Sequence, residues 1–112
     1  MKIGFSSKGE NMGAMIDPRF GRADYLVVYD DENGEISSVD NRAVEGVAHG
    51  AGPQTAQKLM DFNPEVLITG NGPGGNASAV LKKTNMKIFV GAGGMTLQEA
   101  YDTYKRGALK EV

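Results

Sequence analysis

Apolar residues in this chain fall into short unbroken runs, most of them followed by a glycine-rich turn, and helical spacing of apolar positions appears only in the second half. The run Val66 to Thr69 has no polar alternation, which predicts a strand covered on both faces, as in the middle of a parallel α/β sheet. A first strand is predicted over Lys2 to Phe5, followed by a loop to about Ala23. Two more strands, Tyr25 to Tyr29 and Glu35 to about Asp40, flank Asp30-Asp31-Glu32-Asn33-Gly34, and Asn-Gly between β-rich runs signals an antiparallel hairpin. A loop from Asn41 to Gly50 leads through Pro53 into a helix with Ala56, Leu59 and Met60 on its apolar side, stopped by Asn63-Pro64. A second helix carries Ala77, Val80 and Leu81, a fifth strand runs from Met86 to Val90, and a third helix has Leu97, Ala100, Tyr101 and Tyr104 inward. Thr96 with Glu99 three residues later is a capping-box pattern at the start of that helix. The expected architecture is α/β: a mixed five-stranded sheet, one hairpin plus parallel strands, with helices on both faces, in a single domain over residues 1–112.

Right-handed crossovers bring Ser6 to Gly9, His49 to Gly52, Gly70 to Gly75 and Gly91 to Gly94 to one rim, outside the carboxyl ends of the strands, where open α/β sheets bind ligands. Glycines there let the backbone approach a ligand, and a helix start aims free N–H groups at an anion. The same glycines also have a purely conformational reading, since strand-to-helix turns use glycine for positive φ. Gly70-x-Gly72-x-x-Gly75 matches the dinucleotide fingerprint, but Val90-Gly91-Ala92 offers no acidic residue at the end of the next strand, so neither NAD nor FAD is expected.

Composition narrows the chemistry. At 112 residues, 40% hydrophobic and 23% charged, the chain is an ordinary globular domain, and its net charge of -2 argues against a general nucleic-acid or anionic-membrane surface. No apolar run approaches the roughly 18 residues of a membrane span, and no signal-peptide layout precedes the first strand, so a cytoplasmic location is expected. The absence of cysteine excludes disulfides, a thiolate nucleophile and a thiolate-held metal site. The loop from residue 6 to 23 exceeds the roughly 4–6 residues typical of compact domains. It presents Arg19 and Arg22 around Phe20, and Met12-x-x-Met15 with two soft thioethers, which read first as packing groups. The one histidine, His49, sits between small residues at a helix start.

Ile16-Asp-Pro-Arg-Phe-Gly-Arg-Ala-Asp-Tyr25, His49-Gly-Ala-Gly-Pro-Gln-Thr-Ala-Gln57 and Gly70 to Asn76 resemble the dinitrogenase iron-molybdenum cofactor biosynthesis and binding family. So do Val90-Gly-Ala-Gly-Gly94, Glu99-Ala-Tyr-x-x-Tyr104 and Gly107-Ala-Leu109, so the likeness spans essentially the whole chain in order. The resemblance implies a ribonuclease-H-like three-layer fold and a non-enzymatic role. It also implies transient binding of an iron-sulfur-type cluster or an iron-molybdenum cofactor precursor, exchanged with metallocluster donor and acceptor proteins. A histidine is implicated in holding the cluster in nitrogenase-related members, and only His49 could serve here. The implied cofactor-binding set is His49, Gly50, Gly52, Arg19, Arg22, Gly70, Gly72, Gly75 and Gly93, with Lys8 as a further cation. The fold likeness does not bring nuclease activity, because the first strand supplies no carboxylate to a two-metal site. Two alternatives stay open: a regulatory domain binding a small anionic metabolite at the same rim, and a partner-binding module using the loop from Asp17 to Arg22.

Overall fold

Strand β1 (Lys2–Ser7) lies inside the sheet, and the remaining strands are placed by what pairs with it. On one side it pairs antiparallel with β2 (Tyr25–Asp30), which pairs antiparallel with β3 (Ile36–Asp40). On the other it pairs parallel with β4 (Val66–Ile68), then β4 parallel with β5 (Lys87–Val90), and β5 antiparallel with β6 (Lys110–Glu111). The sheet order is therefore β3-β2-β1-β4-β5-β6 in this computed structural model, which describes residues 1–43 and 50–112. The sheet has six strands rather than the expected five. The extra one, β6, is a two-residue exposed edge strand with two charged side chains, and so leaves no hydrophobic pattern to read.

Helices α1 (Ala51–Met60) and α2 (Gly75–Lys82) cover one face, where Ala56, Leu59, Ala77 and Leu81 pack with Leu26, Val28, Leu67 and Ile88. Helix α3 (Leu97–Lys105) covers the other, where Leu97 and Ala100 meet Ile3, Phe5, Val27, Val66 and Ile68. The two faces alternate along β2, β4 and β5, as the pleat requires. Fully burying a side chain such as Phe5 or Leu59 contributes about 1.5–3 kcal/mol, and all three residues of β4 are buried, as its unbroken apolar run predicts.

Element ends follow local chemistry. α1 begins at Ala51, before Pro53, and its first ladder bond runs from Gln54 N–H to the Gly50 carbonyl at 3.0 Å. Pro53 sits in the first turn, where a missing N–H breaks nothing. The capping box of α3 forms as expected: Thr96 Oγ1 accepts from Glu99 N–H at 3.1 Å, and Thr96 N–H donates to Glu99 Oε1 at 2.9 Å. The long first loop is packed, with Ile16, Asp17, Phe20 and Ala23 buried. Single β-bridges join Ser7 to Ile16 and Met15 to Thr96.

Candidate functional site

Both ends of the sheet carry a depression. The one at the amino ends of β4 and β5, about 420 Å³, is lined by Met1, Met60, Met86, Lys87 and Tyr104 among others, and no helix starts there. The one at the opposite end, about 550 Å³, lies between the first loop and the starts of α1 and α2. Its lining includes Arg19, Arg22, Gly50, Gly52, Gly72 and Gly75, with Phe20, Asn71 and Asn76. Among the described residues its walls hold no carboxylate and no thiol, so the polar groups that face it are guanidinium groups, side-chain amides and backbone.

The three helix starts differ in a way that singles out this crevice. α3 satisfies its own first-turn N–H groups with Thr96 and Glu99. α1 and α2 begin at Gly50 and Gly74, have no side-chain cap and carry no acidic residue in the first turn. Among the described residues, their first-turn donors and the positive ends of their dipoles therefore face the crevice without a side-chain cap. Gly91 to Gly94, leading into the capped helix, form no part of the crevice lining, and Gly93 lies beside Gly70, whose Cβ would fall 3.5 Å from Gly93 Cα.

The first loop reaches the crevice because it is clamped to the strand ends. Asp17 N–H donates to the Ser6 carbonyl at 2.9 Å, and the Ser6 hydroxyl donates to the Asp17 carbonyl at 2.7 Å. Since Ser6 Oγ has a single hydrogen, Thr69 Oγ1, 2.6 Å away, is the donor in the bond between the two hydroxyls, which ties β1 to the end of β4. The Asp17 side chain, only 1% exposed, accepts from Arg19 N–H at 3.0 Å, from Arg19 Nε at 3.3 Å and from Asp24 N–H at 3.4 Å. That carboxylate fixes both the turn and the direction of the Arg19 guanidinium, whose side chain is 59% exposed.

Gly70 serves this clamp directly. A Cβ there would lie 2.7 Å from Pro18 Cα, and Asn71 N–H donates to the Pro18 carbonyl at 2.8 Å. The close approach at the first fingerprint glycine is to the chain's own loop. Gly21 does the same against α1, since its Cβ would sit 3.0 Å from Gly52 Cα. Behind that contact the buried Thr55 hydroxyl donates to the Gly21 carbonyl at 2.8 Å and accepts from Asn41 Nδ2 at 2.9 Å. Asn41 Nδ2 also donates to the Ala23 carbonyl at 2.9 Å, and Lys58 Nζ donates to Asn41 Oδ1 at 2.9 Å.

Of the residues expected at the site, six line one crevice: Arg19, Arg22, Gly50, Gly52, Gly72 and Gly75. Gly70 packs beneath the loop, and Lys8 is exposed away from the crevice. His49 lies outside the described residues. Asp17, Asn41 and Thr55 were missed as site-building residues. Asp17-x-Arg19 is an Asx-turn pattern, and Thr55 falls on the buried side of α1 with Ala51, Ala56 and Leu59, where a hydroxyl requires a partner. Among the described residues no group of three or more His, Cys, Asp or Glu side chains converges as a metal site, and no helix is long and apolar enough to cross a membrane.

The family model for the dinitrogenase iron-molybdenum cofactor matches residues 1–107. No curated protein matches the chain significantly. Among solved structures, the apo form of the orange protein from Desulfovibrio gigas is 32% identical, with a TM-score of 0.90 over 99% of this chain and 92% of that one. The NMR structure of a candidate NifB protein from Thermotoga is 36% identical, with a TM-score of 0.83 over 98% of this chain and 91% of that one. The chain belongs to the dinitrogenase iron-molybdenum cofactor family.

Proposed function

We propose that this family member is a non-enzymatic carrier that transiently holds an anionic iron-sulfur-type cluster, or a precursor of the iron-molybdenum cofactor, in the crevice between α1 and α2. One observation supports the reading most: two uncapped helix starts and two arginines face a single crevice whose described walls contain no carboxylate. A preassembled anion suits that donor set, because N–H groups and guanidinium groups bond its outer atoms without displacing its ligands. A bare cation does not suit it. Family membership supports a cluster or cofactor as the ligand, and a structural relative solved in an apo form is consistent with a ligand that comes and goes.

In this reading Arg19, Arg22, Gly50, Gly52, Gly72 and Gly75 contact the cluster, Gly70 and Gly93 shape the turns behind them, and His49, next to Gly50 in sequence, supplies the one imidazole ligand. Without thiolates the hold is weak and exchangeable, which fits loading by a donor protein and release to an acceptor in the cytoplasm. The same family membership supports reading the three-layer fold as ribonuclease-H-like.

The test is an anaerobic titration of the protein with an iron-sulfur cofactor precursor, followed by absorption. Saturable binding weakened by Arg22→Ala, and weakened further when His49→Ala is added, is the expected result. Binding that neither substitution changes would refute the site, and no binding to the native chain would refute the cluster reading.

A further inference from the structure

The chain contains two Asn-Gly pairs in exposed turns, Asn33-Gly34 and Asn71-Gly72, and the structure treats them differently. In the hairpin turn, Gly34 N–H donates to the Asp30 carbonyl at 2.8 Å, and Asn33 Oδ1 accepts from Glu35 N–H at 2.9 Å. The attacking nitrogen is therefore engaged there, and the Asn33 side chain is held in place. At the crevice, among the described residues, neither Gly72 N–H nor the Asn71 side chain makes a hydrogen bond; only Asn71 N–H is held, by Pro18.

We propose that Asn71-Gly72 is a spontaneous deamidation site that places a negative charge in the crevice as the protein ages. The Gly72 backbone nitrogen attacks Asn71 Cγ, a C–N bond forms, and the side-chain nitrogen leaves as ammonia with the proton lost from Gly72 N–H. The resulting five-membered succinimide is opened by water. Cleavage at Cγ gives aspartate, and cleavage at the backbone carbonyl gives isoaspartate. No oxidant or reductant is needed, and the net change is one amide plus water to one carboxylate plus ammonium. Glycine favours the step because it has no Cβ to crowd the attacking nitrogen.

The consequence for binding rests on the anion-site reading above. A carboxylate at residue 71 stands among the uncapped donors of α1 and α2, and competes for them with any incoming anion. Deamidation would then act as a slow off-switch for loading.

The experiment is incubation of the native protein at mildly alkaline pH and 37 °C, with peptide fragmentation mass spectrometry read at residues 71 and 33 in the same samples. The hydrogen bond that holds Gly34 N–H, and so restrains the attacking nitrogen, sets the expectation that residue 71 converts about fivefold faster than residue 33. Equal or slower conversion at residue 71 would overturn the proposal. Gly72→Ala is expected to block conversion at residue 71 and leave residue 33 unchanged. Its new Cβ would meet only Val90 Cγ1 at 3.8 Å, an ordinary contact. Conversion at 71 that persists in this variant would overturn the mechanism. For the consequence, inorganic phosphate is titrated into native and Asn71→Asp protein, and the variant is expected to bind about tenfold more weakly from one added like charge at short range. Equal phosphate affinity would overturn the switch. If phosphate binds neither protein, the anion-site reading and the switch both fail, while the mass data still decide the modification.

Discussion

Thr55→Val keeps the shape of a fully buried side chain in α1 and removes its hydroxyl, which isolates the polar knot behind the crevice. The hydroxyl donates to the Gly21 carbonyl and accepts from Asn41 Nδ2, so the substitution leaves one carbonyl and one amide hydrogen without these partners. Asn41 Nδ2 keeps its bond to the Ala23 carbonyl, so the amide is not stranded altogether. An orphaned buried polar group costs about 1–3 kcal/mol, and water reaches the half-buried Gly21, so the expected loss is roughly 2–3 kcal/mol in total. Denaturant unfolding followed by tyrosine fluorescence measures it, with an unchanged m-value showing that only stability moved. Thr55→Ser restores the hydroxyl and sacrifices one methyl, for a loss near 1 kcal/mol. A Thr55→Val loss below about 0.5 kcal/mol, or a Ser variant as unstable as the Val variant, would refute the account of the knot. Because Gly21 packs against Gly52, the Val variant should also bind phosphate more weakly, and the Ser variant should recover that affinity.

Gly70→Ala should destabilise by about 1–3 kcal/mol, since its Cβ would fall 2.7 Å from the Pro18 backbone, whereas Gly72→Ala should be nearly silent; thermal unfolding separates the two. The Tyr101 hydroxyl is pushed up to about 12, first by burial and then by its hydrogen bond to Asp31, against an ordinary value of 10.0. Its raised folded value means that its contribution to stability is complete below pH 10.0 and is lost as pH rises through about 12. Tyr101→Phe should therefore flatten the alkaline limb of a stability-pH profile, leaving the smaller share that belongs to Tyr104, also raised by burial.

Most of the fold was legible because its signals are local and periodic. The unbroken run at Val66, the Asn33-Gly34 turn and the Thr96 with Glu99 pair each name one element, and all three stand where expected. β6 was not legible, because two charged residues become a strand only through the edge that β5 offers them. The rim itself could be read from topology, but its division could not. The three glycine-bearing segments that lead into helices looked equivalent in sequence, and they separate only once the caps are counted: α3 spends its N–H groups on its own cap, while α1 and α2 do not. The knot of Asn41, Thr55 and Gly21 joins residues from three stretches of the chain, and no local pattern links them.

That division has a direct test, because a cap can be supplied where the chain lacks one. Gly74 precedes α2 with φ −61° and ψ 164°, the extended backbone of an ordinary N-cap, and a Cβ there meets nothing within 4 Å. Gly74→Asp therefore introduces an acceptor for the first-turn N–H groups without strain. Its capping bond and its charge at the positive end of the helix dipole should together stabilise the protein by about 0.5–1.5 kcal/mol. The same carboxylate occupies the donors that the proposed ligand needs, so the variant should be more stable and bind phosphate or cluster more weakly. The opposing signs matter, because a variant that is merely misfolded loses both properties. Gly50 cannot serve for the matching experiment on α1, since its φ of 81° is one that an aspartate would strain to adopt. If Gly74→Asp gains stability and keeps full affinity, the start of α2 is not part of the binding site, and the arginine loop with the start of α1 must hold the ligand without it.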